Sequence, residues 1–234
     1  MTARELLIAD TFVELADTLV DDFDLLDFLH TLLERTVELV DADAGGIMLA
    51  DQRGGLEVLA ASTHATRLVE LFELQHDEGP CLDAFRTGQQ VTQTDEAAMR
   101  AAWPTFTPRL AEAGFSSAQA IPLRLRSQVI GALNVFRVAP GALSPADMKL
   151  ARALADVATV AIVQQRALQA REQLAEQLQE ALTSRIRVEQ AKGILAERSG
   201  ISVEEAFTRM RGHARRAGLP LRQVVDALID GAVL

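Results

Sequence analysis

The stretch that most limits what this chain can fold into opens at Ser144–Pro145–Ala146–Asp147. Serine is a good helix N-cap, proline suits the first turn, and an acid follows. From there to about Thr183 no Gly or Pro interrupts the chain. Some forty residues at about 1.5 Å rise each predict a helix roughly 60 Å long. A helix of that length needs a partner for its apolar stripe. Leu154, Ala161, Leu168, Ala175 and Leu182 recur every seven residues, and Leu178 adds to the seam. The second seam position is polar at Gln164 and Arg171, so the pattern predicts a partial coiled coil and a homodimer. The competing reading packs Leu150–Val163 on a sheet and leaves the rest as a solvated connector.

The segment before this helix changes period several times. Residues 1–40 read as helical, with Leu25, Phe28, Leu29, Leu32, Leu33, Thr36, Val37 and Val40 forming a stripe. AGGIMLAD and LEVLAAST flank the Gly54–Gly55 turn signal and predict a hairpin. A short helix over Ala65–Leu74 follows. Gly79–Pro80 marks a turn before one or two helical turns at Cys81–Arg86. QQVTQTD reads as a strand, and Pro104–Ala113 as a helix ended by Gly114. SSAQAIPLRLR and SQVIGALNVFRV read as two half-exposed antiparallel strands with a tight connection near Ser127. The order predicts an α+β domain over residues 1–165, an antiparallel sheet with flanking helices grouped on one side.

After a helical connector over residues 166–183, residues 184–234 read as an all-α three-helix domain. Val188, Ala191, Ile194 and Leu195 share a face that is rotated from Leu182 and Ile186. Ser202–Val203–Glu204–Glu205 is a capping box, and Val203, Ala206, Phe207, Met210 and Ala214 make the second helix's inward face. Gly218 ends that helix. Pro220 starts a third, with Leu221, Val224, Val225 and Leu228 inward. Phe207 reads as core.

The net charge is −10, which argues against a polyanionic partner until it is counted by segment. Residues 184–234 hold nine Lys+Arg against six Asp+Glu, a balance of +3; the remainder holds fourteen against twenty-seven, a balance of −13. The basic side chains of the last segment fall outside its three apolar faces. Lys192 adjoins Gly193, where a sugar–phosphate backbone could approach closely. A single cysteine, Cys81, forms no internal disulfide and fits a reducing compartment. No secretory signal and no apolar run of about 18 residues is visible, so no membrane role and a cytoplasmic location are expected.

The string RVEQAKGILAERSGISVEEAFTRMRGHARRAGLPLRQVVDALI closely resembles the ANTAR domain, a three-helix RNA-binding antitermination module. Ala191–Lys192–Gly193, Ile194–Leu195, Ala206–Phe207 and Arg211 with Ala214 carry the match. The topology of residues 1–165 and the string GPCLDAFRTG at 79–88 resemble a GAF sensor domain. Together they resemble an actinobacterial-type GAF and ANTAR antitermination regulator. The resemblance implies binding to tandem stem-loops in nascent RNA, one per subunit of a dimer, so that an overlapping terminator cannot form. It implies Lys192, Arg209, Arg211, Arg215 and Arg216 as RNA contacts, meeting phosphates or stacking on unpaired loop bases. It implies a signal or small-molecule ligand for the GAF domain but names no cofactor.

Cys81 is the candidate sensor or pocket residue, with two readings. It is either a buried, inert thiol at a helix start or a redox thiol whose pKa the helix N-terminus lowers. With His76 it offers too few ligands for a metal. A receiver-type phosphorylation site at Asp41 and Asp43 is excluded by the topology. No phosphate loop, nucleophile elbow or Ser/His/Asp set appears, so the chain is not expected to be an enzyme. Two other classes stay open: a DNA-binding transcription regulator and a protein–protein signalling adaptor. The second helix's Val–Glu–Glu start suits neither phosphates nor base edges.

Overall fold

The structure, a computed structural model, describes residues 2–19, 23–51, 54–126 and 128–231. The chain divides into two compact units, Met1–Gln165 and Arg166–Leu234.

The first unit begins with two helices, α1 (Ala3–Thr18) and α2 (Leu25–Leu39). Each is started by a side chain: Thr2 and Glu5 form a capping box, and the Asp24 carboxylate accepts the amides of Leu26 and Asp27. Then follow β1 (Ala44–Ala50), β2 (Leu56–Ala61), α3 (His64–His76), α4 (Pro80–Thr87) and β3 (Val91–Gln93). The unit continues with α5 (Glu96–Ala102), α6 (Phe106–Glu112), β4 (Ser117–Leu125), β5 (Gln128–Arg137) and the first part of α7 (Pro145–Ser199). The strands form one antiparallel sheet in the order β2-β1-β5-β4-β3. Leu125 pairs with Gln128, which fits the expected tight connection, while Ser127 itself lies outside the described residues. In the first hairpin Gln52 and Arg53 lie outside them too.

Helices cover both faces of this sheet, not one as the strand order suggested. Ile47, Leu49, Ile121, Leu123, Leu133 and Val135 face α1, α2 and the start of α7 in the larger core. The alternate residues Ala44, Met48, Ala118, Ala120, Ala132 and Phe136 face α3–α6. The β4–β5 pair expected to be half-exposed is therefore buried on both faces along most of its length. Each buried Leu or Ile here stabilises the unit by roughly 2 kcal/mol. The unforeseen helix is α5, a seven-residue element whose start the Asp95 carboxylate caps through the Ala98 amide.

The N-terminus of α7 is secured as expected: Ser144 Oγ accepts the Asp147 amide and donates to the Asp147 carboxylate, which also pairs with Arg4 of α1. The helix then runs unbroken to Ser199, so no boundary separates the connector from the first helix of the second unit. The seven-residue series splits along it. Leu154 and Ala161 are fully buried in the first unit's core, whereas Leu168, Leu174, Leu178, Leu182 and Ile186 are exposed.

In the second unit, α8 (Val203–Ala217) and α9 (Leu221–Ile229) pack with the end of α7 around Ala191, Leu195, Ala206, Met210, Val224, Val225 and Leu228. The Ser202–Glu205 capping box is present in both directions. Three residues expected inward are not in this core: Val203 is exposed, and Ile194 and Phe207 are half-buried outside it. Ile201, Ala196 and Ile229 pack there instead. An ion pair from Arg187 to Asp226 ties α7 to α9.

Candidate functional site

In the second unit, two of the five expected RNA contacts meet on one ring. Lys192 Nζ lies 5.5 Å from the centre of the Phe207 ring and Arg211 Cζ 5.8 Å from it, within cation–π range. Lys192 Nζ also stands 2.9 Å from both carboxylate oxygens of Glu189. The Lys192 side chain is only 17% exposed against 57% for Glu189. A helical ion pair three residues apart is worth about 0.2–0.5 kcal/mol, so Glu189 holds Lys192 only weakly. Phe207 is thus not a core residue but the seat that holds two cations at the surface. The signal for this was its position beside Ala206, at the edge of the apolar stripe. Gly193 faces open space, as close approach by a ligand requires.

Arg209, Arg215 and Arg216 are exposed on the solvent side of α8, apart from the Phe207 seat. Arg215 and Arg216 occupy the last helical turn, where cations also favour the helix dipole. Of the five, Lys192 and Arg211 are brought together at Phe207, whereas Arg209 and Arg216 lie on the opposite flank of α8 from that ring.

The first unit holds a cluster that sequence reasoning missed. Glu70 and Glu73 on α3 are completely buried against the sheet. Thr66, Val69, Glu70 and Glu73 make the inward face of α3, while Leu68 and Leu71 are exposed. The helix therefore turns two acids inward beside Val69 while Leu68 and Leu71 face out, against the usual apolar selection. Beneath it, Gly46 of β1 pairs with Asn134 of β5. The Asn134 amide is buried, with Nδ2 3.5 Å from Glu73 Oε2. Glu73 Oε1 accepts the Leu82 amide at 3.0 Å, and the Cys81 amide also donates to this carboxyl. Both donors belong to the N-terminus of α4, where an anion is favoured. Gly79, at φ 151°, leads into that helix, and a Cβ there would come within 2.5 Å of the Glu73 carboxyl. Glu70 has less support: the Asn134 side chain lies beside its carboxyl and Arg67 acts on it at longer range, but neither oxygen has a partner in good hydrogen-bond geometry, nor does Asn134 Oδ1. Burial pushes Glu73 up to about 8. Burial and then the charge of Glu73 raise Glu70 well above the usual carboxylate range.

Cys81 adjoins this cluster, fully buried among Met48, Ala84, Ala120 and Ala132. Burial, then Glu73 and Glu70, push its thiol well above the ordinary value. Of the two readings of Cys81, burial favours the inert thiol, because desolvation and two acids oppose the helix field. Cys81 contributes its backbone amide to the cluster. His76 is exposed and stacked on Phe72 at 3.8 Å. Among the described residues no group of three or more His, Cys, Asp or Glu is placed to hold a metal ion.

Comparison with known proteins agrees with this architecture. The chain resembles the GAF domain of a phosphoenolpyruvate-protein phosphotransferase from Coxiella burnetii, with TM-score 0.58 and 17% identity over 72% of this chain and 99% of that one. It resembles free methionine-R-sulfoxide reductase from Neisseria meningitidis, solved with its substrate, with TM-score 0.54 and 16% identity over 72% of this chain and 95% of that one. A GAF domain from an Acinetobacter phosphoenolpyruvate-protein phosphotransferase gives TM-score 0.53 and 17% identity over 71% and 97%. At these identities the likeness shows the fold alone. No curated protein matches the chain. The family model of the GAF domain matches residues 24–163 and that of the ANTAR domain residues 176–229. The chain belongs to the GAF family and carries a C-terminal ANTAR domain.

Proposed function

We propose that this protein is a signal-responsive transcription antitermination regulator, in which the GAF domain senses a ligand and controls binding of paired ANTAR domains to stem-loops in nascent RNA. The observation that carries the reading is the coincidence of the ANTAR match at residues 176–229 with a three-helix unit whose cations lie outside its core. Lys192 and Arg211, seated on Phe207, bind phosphate or stack on loop bases; Arg209, Arg215 and Arg216 extend the contact along the backbone. Residues 166–183 act as the connector and 184–234 as the RNA-binding domain. The exposed leucines at 168, 174, 178 and 182 bring two copies together, so that each grips one hairpin. Occupied hairpins cannot rearrange into a terminator.

A groove-reading DNA role is less well supported, because α8 opens with Glu204 and Glu205, which repel phosphate. GAF and ANTAR are regulatory domains, which favours a non-enzymatic role. No helix among the described residues is long and apolar enough to cross a membrane, in keeping with action on transcripts in the cytoplasm.

The test is filter binding of a tandem-hairpin RNA to the full chain and to a Lys192→Ala, Arg215→Ala double variant. At least a tenfold loss of affinity with the oligomeric state retained is expected. Unchanged affinity overturns the RNA assignment.

A further inference from the structure

The buried cluster under α3 is unusual in what it offers. Glu70 Oε1, Glu70 Oε2 and Asn134 Oδ1 are all acceptors without a donor, and Glu73 Oε2 has only the long contact from Asn134. Interiors almost always satisfy such groups, so an unsatisfied set calls for a partner that the chain itself does not supply. Neither glutamate takes part in an ion pair with a described Lys or Arg; Arg67, on the same helix, is exposed. A proton on Glu70 would remove its charge but supply one donor at most, leaving another of these acceptors unmet. A metal ion is a poor fit, since among the described residues no group of three or more His, Cys, Asp or Glu is placed to hold one. What remains is a ligand that brings positive charge and several N–H donors together.

We propose that the GAF domain binds a small organic cation, bearing a primary ammonium or guanidinium group, between Glu70, Glu73 and Asn134. The inference rests on the sensor reading above and gives that sensor a ligand class. Each element of the fold contributes. The N-terminus of α4 holds Glu73 by one oxygen and leaves the other towards Asn134. Gly46 and Gly79 make room for the two carboxyls, since a Cβ at either would collide with one of them. The head group of the cation donates to Glu70 and Asn134 Oδ1, and its charge offsets carboxylates that only the exposed Arg67 otherwise reaches, at longer range than an ion pair. Binding would draw α3 against β1, β5 and α4, the change that a sensor must make.

The test uses the full chain with methylguanidinium and ethylammonium as probes and tetramethylammonium, which has no N–H donor, as the control at equal ionic strength. A saturable rise in Tm and saturable calorimetric binding are expected for at least one N–H probe and not for the control. Glu70→Gln should weaken that binding at least tenfold. In the unaltered protein the binding should weaken as pH falls, because protons compete for the same carboxylates; this measurement stands even if the variant does not fold. Equal responses to all three cations, or binding indifferent to pH and to Glu70→Gln, overturn the proposal. Hairpin RNA binding is measured on the same sample. RNA binding without any N–H-specific cation binding defeats this site and leaves the output reading standing; specific cation binding without RNA binding supports the site and defeats that output.

Discussion

Gly46 lies directly beneath the Glu70 carboxyl: a Cβ added to Gly46 would stand 1.8 Å from Glu70 Oε1. The sheet is floored by glycine at this point because an acid, not an apolar side chain, comes down from α3. Gly46→Ala should therefore destabilise the first unit by about 1–3 kcal/mol, the range for overfilling a packed interior. Glu70→Ala in the same chain should recover much of that loss, since the two side chains compete for one space. Urea denaturation of the two single variants and the double variant checks this; strictly additive effects would separate the residues.

Stability should fall as pH rises from about 4.5 to about 8. Burial pushes the Glu73 carboxyl from its ordinary 4.5 to about 8. Between those values the folded chain holds a proton that the unfolded chain has released, so raising the pH favours unfolding. The contribution is complete below about 4.5 and lost above about 8. Glu70 acts in the same direction, raised by burial and by Glu73. Glu73→Gln, which can still accept the Leu82 amide, should flatten this slope by several kcal/mol across the window. Denaturation midpoints at pH 5, 6, 7 and 8 read the difference.

Phe207→Leu should weaken RNA binding about three- to tenfold while costing the fold less than about 1.5 kcal/mol. Leucine fills most of the ring's volume but offers no face to Lys192 and Arg211, and each such contact is worth about 0.5–1 kcal/mol at an exposed site. Glu189→Gln should act oppositely and tighten binding, because it releases Lys192 from its only carboxylate partner among the described residues. Hairpin affinities of the two variants, with thermal melts beside them, distinguish a seat for cations from simple packing.

Leu178→Asp with Leu182→Asp should convert a dimer to monomer with little change in helix content. Both leucines are more than half exposed, so the folded chain loses little by the exchange. Across a dimer seam two buried carboxylates would cost several kcal/mol. Sedimentation equilibrium reads the outcome, and tandem-hairpin affinity should drop with it. A variant that stays dimeric would place the interface elsewhere.

Much of this architecture is written locally. Ser144 and Asp147 start α7, Ser202 and Glu205 start α8, and Gly54–Gly55 turns the first hairpin whatever surrounds them, because caps and turns act over three or four residues. Lys192, Arg209, Arg211, Arg215 and Arg216 could be placed outside the second unit's core from helical spacing alone. Tertiary structure decided which face of each element is buried. On α3, Leu68 and Leu71 are exposed while Val69, Glu70 and Glu73 are the residues under cover. The reason is that a helix face is chosen by what it meets. Across the sheet from α2 lies a surface of Gly46, Asn134 and the amides of α4, and that surface selects carboxyls over leucines. Phe207 follows the same rule: Ile201 and Ala196 pack with the core that spacing assigned to it, and Lys192 and Arg211 take the ring.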